Sequence, residues 1–158
     1  MQTRKSSRAI VLNKQNQIFL FCYTFDFFAE NDAIWITPGG ALEEGESFEG
    51  ALKRELFEEL GIKITAQAPF VFYRTPMYKL KGGETVRSEE RFYLVYCDDE
   101  TFSYNGWSEN EMKKMTAGKW WSVEEIKKSS EKFFSEDIVE ILERLSAGEI
   151  LKEPLEIR

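Results

Sequence analysis

The chemistry in this chain is concentrated in 23 residues, Gly40 to Ile62, which read GALEEGESFEGALKRELFEELGI. Glycine, glutamate and arginine recur there in the pattern G-x5-E-x7-R-E-U-x-E-E-x-G-U, where U is a bulky aliphatic residue. Gly40, Glu46, Arg54, Glu55, Leu56, Glu58, Glu59, Gly61 and Ile62 fill every defined position. Ser47 is a good helix N-cap, Glu49 puts negative charge in the first turn, and Gly61 suits the position after Leu60. A helix is therefore expected from Phe48 to Leu60. At about 100° per residue, Glu55, Glu58 and Glu59 share one face, and Leu52, Leu56 and Leu60 form a neighbouring apolar stripe. Like charges three and four residues apart cost a few tenths of a kcal/mol per pair, and Arg54 can offset part of this by pairing with Glu58. What remains is a set of hard oxygen donors of the kind Mg²⁺ or Mn²⁺ prefers. The plain alternative is a solvated acidic face. Such a face has no need of Pro38-Gly39-Gly40 ahead of it, or of Glu46 on the connecting loop.

Composition narrows the chemistry further. The chain has 158 residues, enough for one domain with an ordinary core, and a single domain over 1–158 is expected. With 42% hydrophobic and 31% charged residues it is globular in character. A net charge of −7 argues against a broad nucleic-acid face, which leans on Lys and Arg to neutralise phosphates. There is no histidine, so carboxylates must carry any acid–base work. Cys22 and Cys97 lie in apolar, strand-like runs and read as two reduced thiols. No signal-peptide core follows the basic N-terminus, and the longest apolar run is too short to span a bilayer. These features point to a soluble cytoplasmic protein, monomeric or homodimeric.

The elements around the box alternate in type. Arg8 to Leu12 and Ile18 to Phe25 read as a hairpin, and Ala33 to Thr37 as a short strand entering Pro38-Gly39-Gly40. Lys63 to Thr65 reads as a brief strand, and Phe70 to Leu80 and Arg91 to Cys97 as longer ones. Asp98 to Asn110 reads as an irregular loop and Lys119 to Trp121 as a last short strand. Ser122 and Glu125 form a capping box for a helix to about Lys128. Ser135 is the expected cap of a final helix to about Ala147, and the tail reads as irregular. Mixed strands and helices in this order fit a sheet covered by helices on both faces.

The motif is the complete Nudix box, and the sequence resembles a Nudix hydrolase. Trp35-x-x-Pro38-Gly39-Gly40 is similar to the family's entry to the box, and Trp120-Trp121-Ser122-x-x-Glu125-Ile126 to its late strand-to-helix element. Two departures are visible, Ala41 where a third glycine is common and Gly50 inside the helix where alanine is common. The resemblance implies an α/β/α sandwich around a central mixed sheet and hydrolysis of a diphosphate bond in a small nucleoside diphosphate derivative. Water would attack phosphorus with the aid of Mg²⁺ or Mn²⁺. It implies that Glu55, Glu58 and Glu59 hold the metal, joined by a Gly39 or Gly40 carbonyl, and that Arg54 orients the glutamates. Glu46 is counted among the candidate ligands. For the general base the candidates are Glu58 and Glu59 in the box and Glu109 and Glu111 on the later loop, with Glu89 and Glu90 fainter. Arg74 and Arg91 are candidates for holding phosphate, and Phe28 and Tyr78 for stacking on a base. The alternatives are a housecleaning hydrolase of damaged nucleoside triphosphates and, from another class, a non-catalytic nucleotide-binding module.

Overall fold

The computed structural model describes residues 2–24, 33–97, 115–149 and 151–158. In chain order the elements are β1 (Gln2–Leu12), β2 (Ile18–Thr24), β3 (Ala33–Ile36), β4 (Gly39–Ala41), α1 (Phe48–Leu60) and β5 (Phe70–Arg74). They continue with β6 (Met77–Lys79), β7 (Thr85–Tyr96), β8 (Met115–Trp121), α2 (Val123–Lys128), α3 (Ile138–Ser146) and β9 (Leu155–Glu156). The strands form one mixed sheet in the order β3-β2-β1-β7-β5-β9, with β4 on β1, β6 on β7 and β8 on β2.

The sheet is built on a parallel pair. β1 and β7 run side by side from Gln2↔Val86 to Leu12↔Tyr96. The opposite edge of β1 is divided: Ser6, Ser7 and Arg8 pair with β4, while Leu12 pairs with Ile18 of β2. β2 leaves β1 after that single register pair and spends its length on β3 and β8. The expected hairpin thus contributes one closing contact, and β1 keeps an edge on which the glycine strand can lie.

Strand alternation divides the core in two. Ile10, Leu12, Ile18 and Leu20 face Ile138, Ile141, Leu142 and Leu145 of α3 and Ile126 of α2. Ala9, Val11, Phe19 and Phe21 face Leu52, Leu56 and Leu60 of α1. The expected leucine stripe is that contact, and its three side chains are 2% exposed or less. Burying each is worth roughly 2 kcal/mol. A mixed sheet lies between α1 on one face and α2 with α3 on the other, the expected α/β/α sandwich.

Several boundaries differ from the reading above. β1 starts at Gln2, because the partner that holds residues 2–7 extended is β7, more than 80 positions away in sequence. Phe70 to Leu80 is two strands; Pro76 separates β5 from β6, having no N–H to offer a ladder. Residues 63–65 form no strand. α3 starts at Ile138, and Ser135 Oγ instead accepts from Asp137 N and donates to the Arg158 carbonyl. The tail adds β9 beside β5 and buries Ile157. Gly50 lies in the first turn, donating to Ser47 Oγ at 3.0 Å, so it does not weaken the helix interior. The Ser122 capping box has both its bonds, and the expected loop from Asp98 to Asn110 lies outside the described residues beyond Tyr96 and Cys97.

Candidate active site

α1 is fixed at both ends before it carries any chemistry. Ser47 caps the first turn, and Ser7 Oγ donates to the Phe48 carbonyl at 2.6 Å, fastening that turn to β1. At the other end Gly61, in the left-handed conformation at φ 70°, donates back to carbonyls of the last turn. Between α1 and β1 runs the glycine strand. Gly39 has φ +135°, and a Cβ there would lie 2.1 Å from the Ser7 carbonyl oxygen, so only glycine lets β4 lie this close to β1. Gly40 has a different reason. A Cβ on it would meet Glu55 Oε1 at 2.5 Å, so its missing side chain is the space the Glu55 carboxylate occupies.

The glutamates are held individually. Glu59 is 4% exposed and accepts from Gly39 N at 2.7 Å. Glu55 accepts from Arg54 Nη1 at 2.9 Å, and its side chain is 14% exposed. Glu58 is the open member, 41% exposed, with its Oε2 at 3.3 Å from Arg54 Nη1. Arg54 is the hub. Besides Glu55 and Glu58 it donates through Nε and Nη2 to the two oxygens of Glu46, at 2.8 and 2.9 Å, and through Nη2 to the Ala41 carbonyl.

The electrostatics follow from these contacts. The paired N–H groups of Arg54, helped by the Glu43 backbone N–H, pull the Glu46 carboxyl down to about 2. The same bond raises the Arg54 guanidinium above its ordinary value. Burial pushes the Glu55 carboxyl up, and the nearby Glu58 charge adds to that, with Arg54 opposing. A desolvated carboxylate crowded by another is a place where a divalent cation gains most.

Each residue picked out from the sequence can now be placed. Glu55, Glu58, Glu59, Arg54, Gly39 and Gly40 come together. Glu46 joins them, but as Arg54's bidentate partner: both its oxygens are engaged, which corrects its assignment as a metal ligand. Arg74 also needs correcting. Its guanidinium is turned into the protein, bonded to Glu90 Oε1 at 3.0 and 3.1 Å and to the Phe134 carbonyl, with a side chain 13% exposed. It is a buried structural cation, with Nε, Nη1 and Nη2 each donating within the protein. Its partner Glu90, 5% exposed, is likewise removed from the candidate bases. Arg91 lies 4.0 Å from the Phe48 ring centroid, at the start of α1. Glu58 and Glu59 are about three turns further along, roughly 15 Å. Tyr78 is half-buried, with its hydroxyl 3.5 Å from Glu90 Oε2. Phe28, Glu109 and Glu111 lie outside the described residues, as do Phe25, Phe27 and Trp107.

One residue at the site was not singled out in the sequence. Arg8 Nη1 donates to the Thr37 and Gly39 carbonyls, both at 3.1 Å, tying the entry of the box to β1. Its signal was a cation immediately before the apolar run Ala9 to Leu12 of β1, on the face of Ile10 and Leu12, where an aliphatic residue would be the plain choice.

The donor set suits a divalent ion. It is all oxygen, it carries an excess of negative charge around Glu55, Glu58 and Glu59, and Gly40 keeps the approach to Glu55 clear. Among the described residues no three acidic side chains already stand as a ready ligand group; Arg54 lies among them and carries the neutralising charge. Carboxylates pinned at the mouth of a glycine strand define a class: metal-assisted hydrolases of phosphate anhydrides.

Comparison with known proteins identifies the family. The sequence model of the NUDIX domain matches residues 2–144, and the chain belongs to that family. An RNA pyrophosphohydrolase of Wolbachia pipientis subsp. Culex pipiens (strain wPip) is 28% identical over 147 residues, spanning 87% of this chain and 86% of that one. Nucleoside triphosphatase NudI of Enterobacter sp. (strain 638) is 37% identical over 73 residues, 45% of this chain and 50% of that protein. Among solved structures, a MutT NUDIX hydrolase from Burkholderia pseudomallei aligns with a TM-score of 0.63 at 22% identity, covering 92% of this chain and 99% of that one. An ADP-ribose pyrophosphatase from Streptococcus suis 89-1591 aligns with a TM-score of 0.60 at 18% identity, covering 97% of each. The protein is a Nudix pyrophosphohydrolase: it cleaves a diphosphate bond in a nucleotide derivative with the help of a divalent metal ion. No helix among the described residues is long and apolar enough to cross a membrane.

Proposed function

We propose that the chain, acting as a single domain, hydrolyses small nucleoside diphosphates linked to a second group, with Mg²⁺ or Mn²⁺ held by Glu55, Glu58 and Glu59. The observation that carries this reading is the pairing of Glu59 with the Gly39 N–H while Glu55 fills the space above Gly40. Two carboxylates are thereby aimed at the same short stretch of backbone, with Glu58 beside them on the open side. When bound, the divalent ion would neutralise phosphate charge and acidify the attacking water. Arg54, steadied by Glu46, keeps Glu55 and Glu58 from turning away. A carboxylate accepts the proton of the attacking water: Glu58 is the candidate within the described site, and Glu109 and Glu111 are the candidates from the later segment. The absence of histidine agrees with carboxylate chemistry, and Cys22 and Cys97, which form no disulfide with each other, agree with a reducing, cytoplasmic setting.

Two competing substrates have support from the relatives' names. A nucleoside triphosphatase is among them, and so are RNA pyrophosphohydrolases, which weigh against the composition argument that made nucleic acid an unlikely partner. The test is a panel of sugar-linked nucleoside diphosphates, nucleoside triphosphates and 5′-triphosphate RNA, assayed with Mg²⁺ and with Mn²⁺, products being identified by mass. The nucleotide–sugar substrates should give a nucleoside monophosphate and a sugar phosphate. Glu58→Gln and Glu59→Gln should each lose ~10²-fold or more in kcat. Turnover retained by both variants, or in excess chelator, refutes the assignment. Turnover confined to triphosphates or RNA moves it to those substrates.

A further inference from the structure

One rung of the sheet carries both the start of α1 and the glycine strand. On β1, Ser7 pairs with Arg91 of β7 on one side and with Gly40 of β4 on the other. Ser7 and Arg91 both reach Phe48, the first residue of α1. Ser7 Oγ donates to the Phe48 carbonyl at 2.6 Å, and the Arg91 guanidinium lies 4.0 Å from the centre of the Phe48 ring. The same guanidinium is 5.2 Å from the centre of the Phe70 ring, so one cation serves aromatic rings on the helix and on β5. Two residues along β7, Tyr93 is 1% exposed, and its hydroxyl donates to Glu49 Oε1 at 3.5 Å. β7 thus holds two successive residues of the first turn of α1.

These contacts differ in kind from the leucine stripe. Burial of Leu52, Leu56 and Leu60 presses α1 onto the sheet, but the hydrophobic effect is non-directional and leaves the tilt of the helix axis open. A cation over an aromatic ring and a hydrogen bond both depend on distance and direction. The tilt matters because the carboxylates are remote from this end. Glu55 lies seven residues beyond Phe48 and Glu59 eleven, about 10 and 16 Å along the axis. Turning α1 by about 5° about its first residue moves them by about 1 Å, and an error of that size in aligned groups costs up to ~10²-fold. Their counterparts, Gly39 N and the space above Gly40, stay behind on β4, which is paired to β1. The rung therefore fixes helix and glycine strand against each other. Arg91 has little else to do: Glu89 stands 3.8 Å from it with both side chains partly exposed, a surface pairing of small worth.

We infer that Arg91 is a positioning residue for the hydrolysis: through the Phe48 ring it sets the tilt of α1, and with it the alignment of Glu55, Glu58 and Glu59 on the glycine strand. The inference rests on the metal-dependent reading of those glutamates above and adds to it a residue that touches neither metal nor substrate.

The experiment compares the full chain with Arg91→Met, Arg91→Lys, Phe48→Leu and the double variant Arg91→Met with Phe48→Leu. Arg87→Met, an exposed arginine two residues earlier on the same face of β7, controls for the lost charge. Each protein is melted, titrated calorimetrically with Mn²⁺ alone, and assayed on the nucleotide derivative that the wild type turns over fastest. Arg91→Met should lose about tenfold in kcat with KM within about twofold, and should bind Mn²⁺ about tenfold more weakly. Arg91→Lys should recover part of both losses, since an ammonium also lies well over a ring. Phe48→Leu should resemble Arg91→Met, and the double variant should fall no more than about twofold below the worse single one, because both act through one contact. Arg87→Met should match the wild type. Unchanged kcat and Mn²⁺ affinity in Arg91→Met would overturn the inference, and so would additive losses in the double variant. A raised KM at constant kcat would make Arg91 a substrate contact instead, and a loss matched by a fall in folded fraction would make it merely structural. Weakened Mn²⁺ binding in Arg91→Met, in a protein that hydrolyses only triphosphates or RNA, would leave the positioning role standing and remove the proposed substrate.

Discussion

Replacing Gly40 with alanine would set a methyl carbon 2.5 Å from Glu55 Oε1, where 3.4 Å or more is ordinary contact. The obstructing atom is the tip of a flexible side chain, so the strand need not move and the carboxylate must, by about 1 Å. A shift of that size in an aligned catalytic group costs ~10²-fold, or about 2.7 kcal/mol of activation free energy. The fold should survive, because β4 keeps its pairing to β1. Gly39→Ala makes the opposing case. Its Cβ would lie 2.1 Å from a backbone oxygen, Ser7 O, at a φ of +135° that alanine rarely adopts, so the β1–β4 pairing itself must give way. Steady-state kinetics and thermal melts of the two variants separate the effects. Gly40→Ala should lose about a hundredfold in kcat/KM while melting within a few degrees of the wild type, and Gly39→Ala should lose both activity and stability. A Gly40→Ala enzyme with wild-type turnover would refute the reasoning, since the Glu55 carboxylate could then not occupy the space above Gly40 during the reaction.

Three further predictions concern charge and stability. Glu46 titrates at about 2 when folded against 4.5 for the ordinary group. A depressed folded value contributes stability above the unfolded pKa that is lost as pH falls through the window from about 4.5 to 2. Over that window the melting-temperature gap between wild type and Glu46→Gln should close, and a gap independent of pH would mean that the Arg54 bond contributes nothing. Arg74→Leu leaves Glu90 charged and buried, and should cost about 3–5 kcal/mol in urea unfolding; a loss below about 1 kcal/mol would show that water reaches the pair. Mg²⁺ at a hundredfold excess over its Kd should stabilise the wild type by about 2.7 kcal/mol. Glu58→Gln should melt at or above the wild type in chelator and gain much less from the ion, while a full metal-induced shift in that variant would exclude Glu58 as a ligand.

The sequence by itself determined what depends on near neighbours. The limits of α1, its Ser47 and Gly61 caps, the shared face of Glu55, Glu58 and Glu59 and the leucine stripe all follow from a period of 3.6 residues and from cap chemistry, which act within about four residues. The identity of the family was legible for the same reason, being carried by one contiguous motif. What the tertiary structure decided was the partner of each charge. Arg54 was expected to pair along the helix with Glu58, and it does so at 3.3 Å; its two-pronged contact, however, closes on Glu46 across the turn that precedes the helix, because a planar guanidinium gains more from a bidentate carboxylate than from a single longer contact. Arg74 and Glu90 were indistinguishable in sequence from surface charges, and only the antiparallel pairing of β5 with β7 sets them opposite each other under Phe134. Arg4 lay in a stretch that gave no sign of strand. It is held extended because Arg4 pairs with Ser88, and a parallel contact across 84 positions leaves no local trace in either segment.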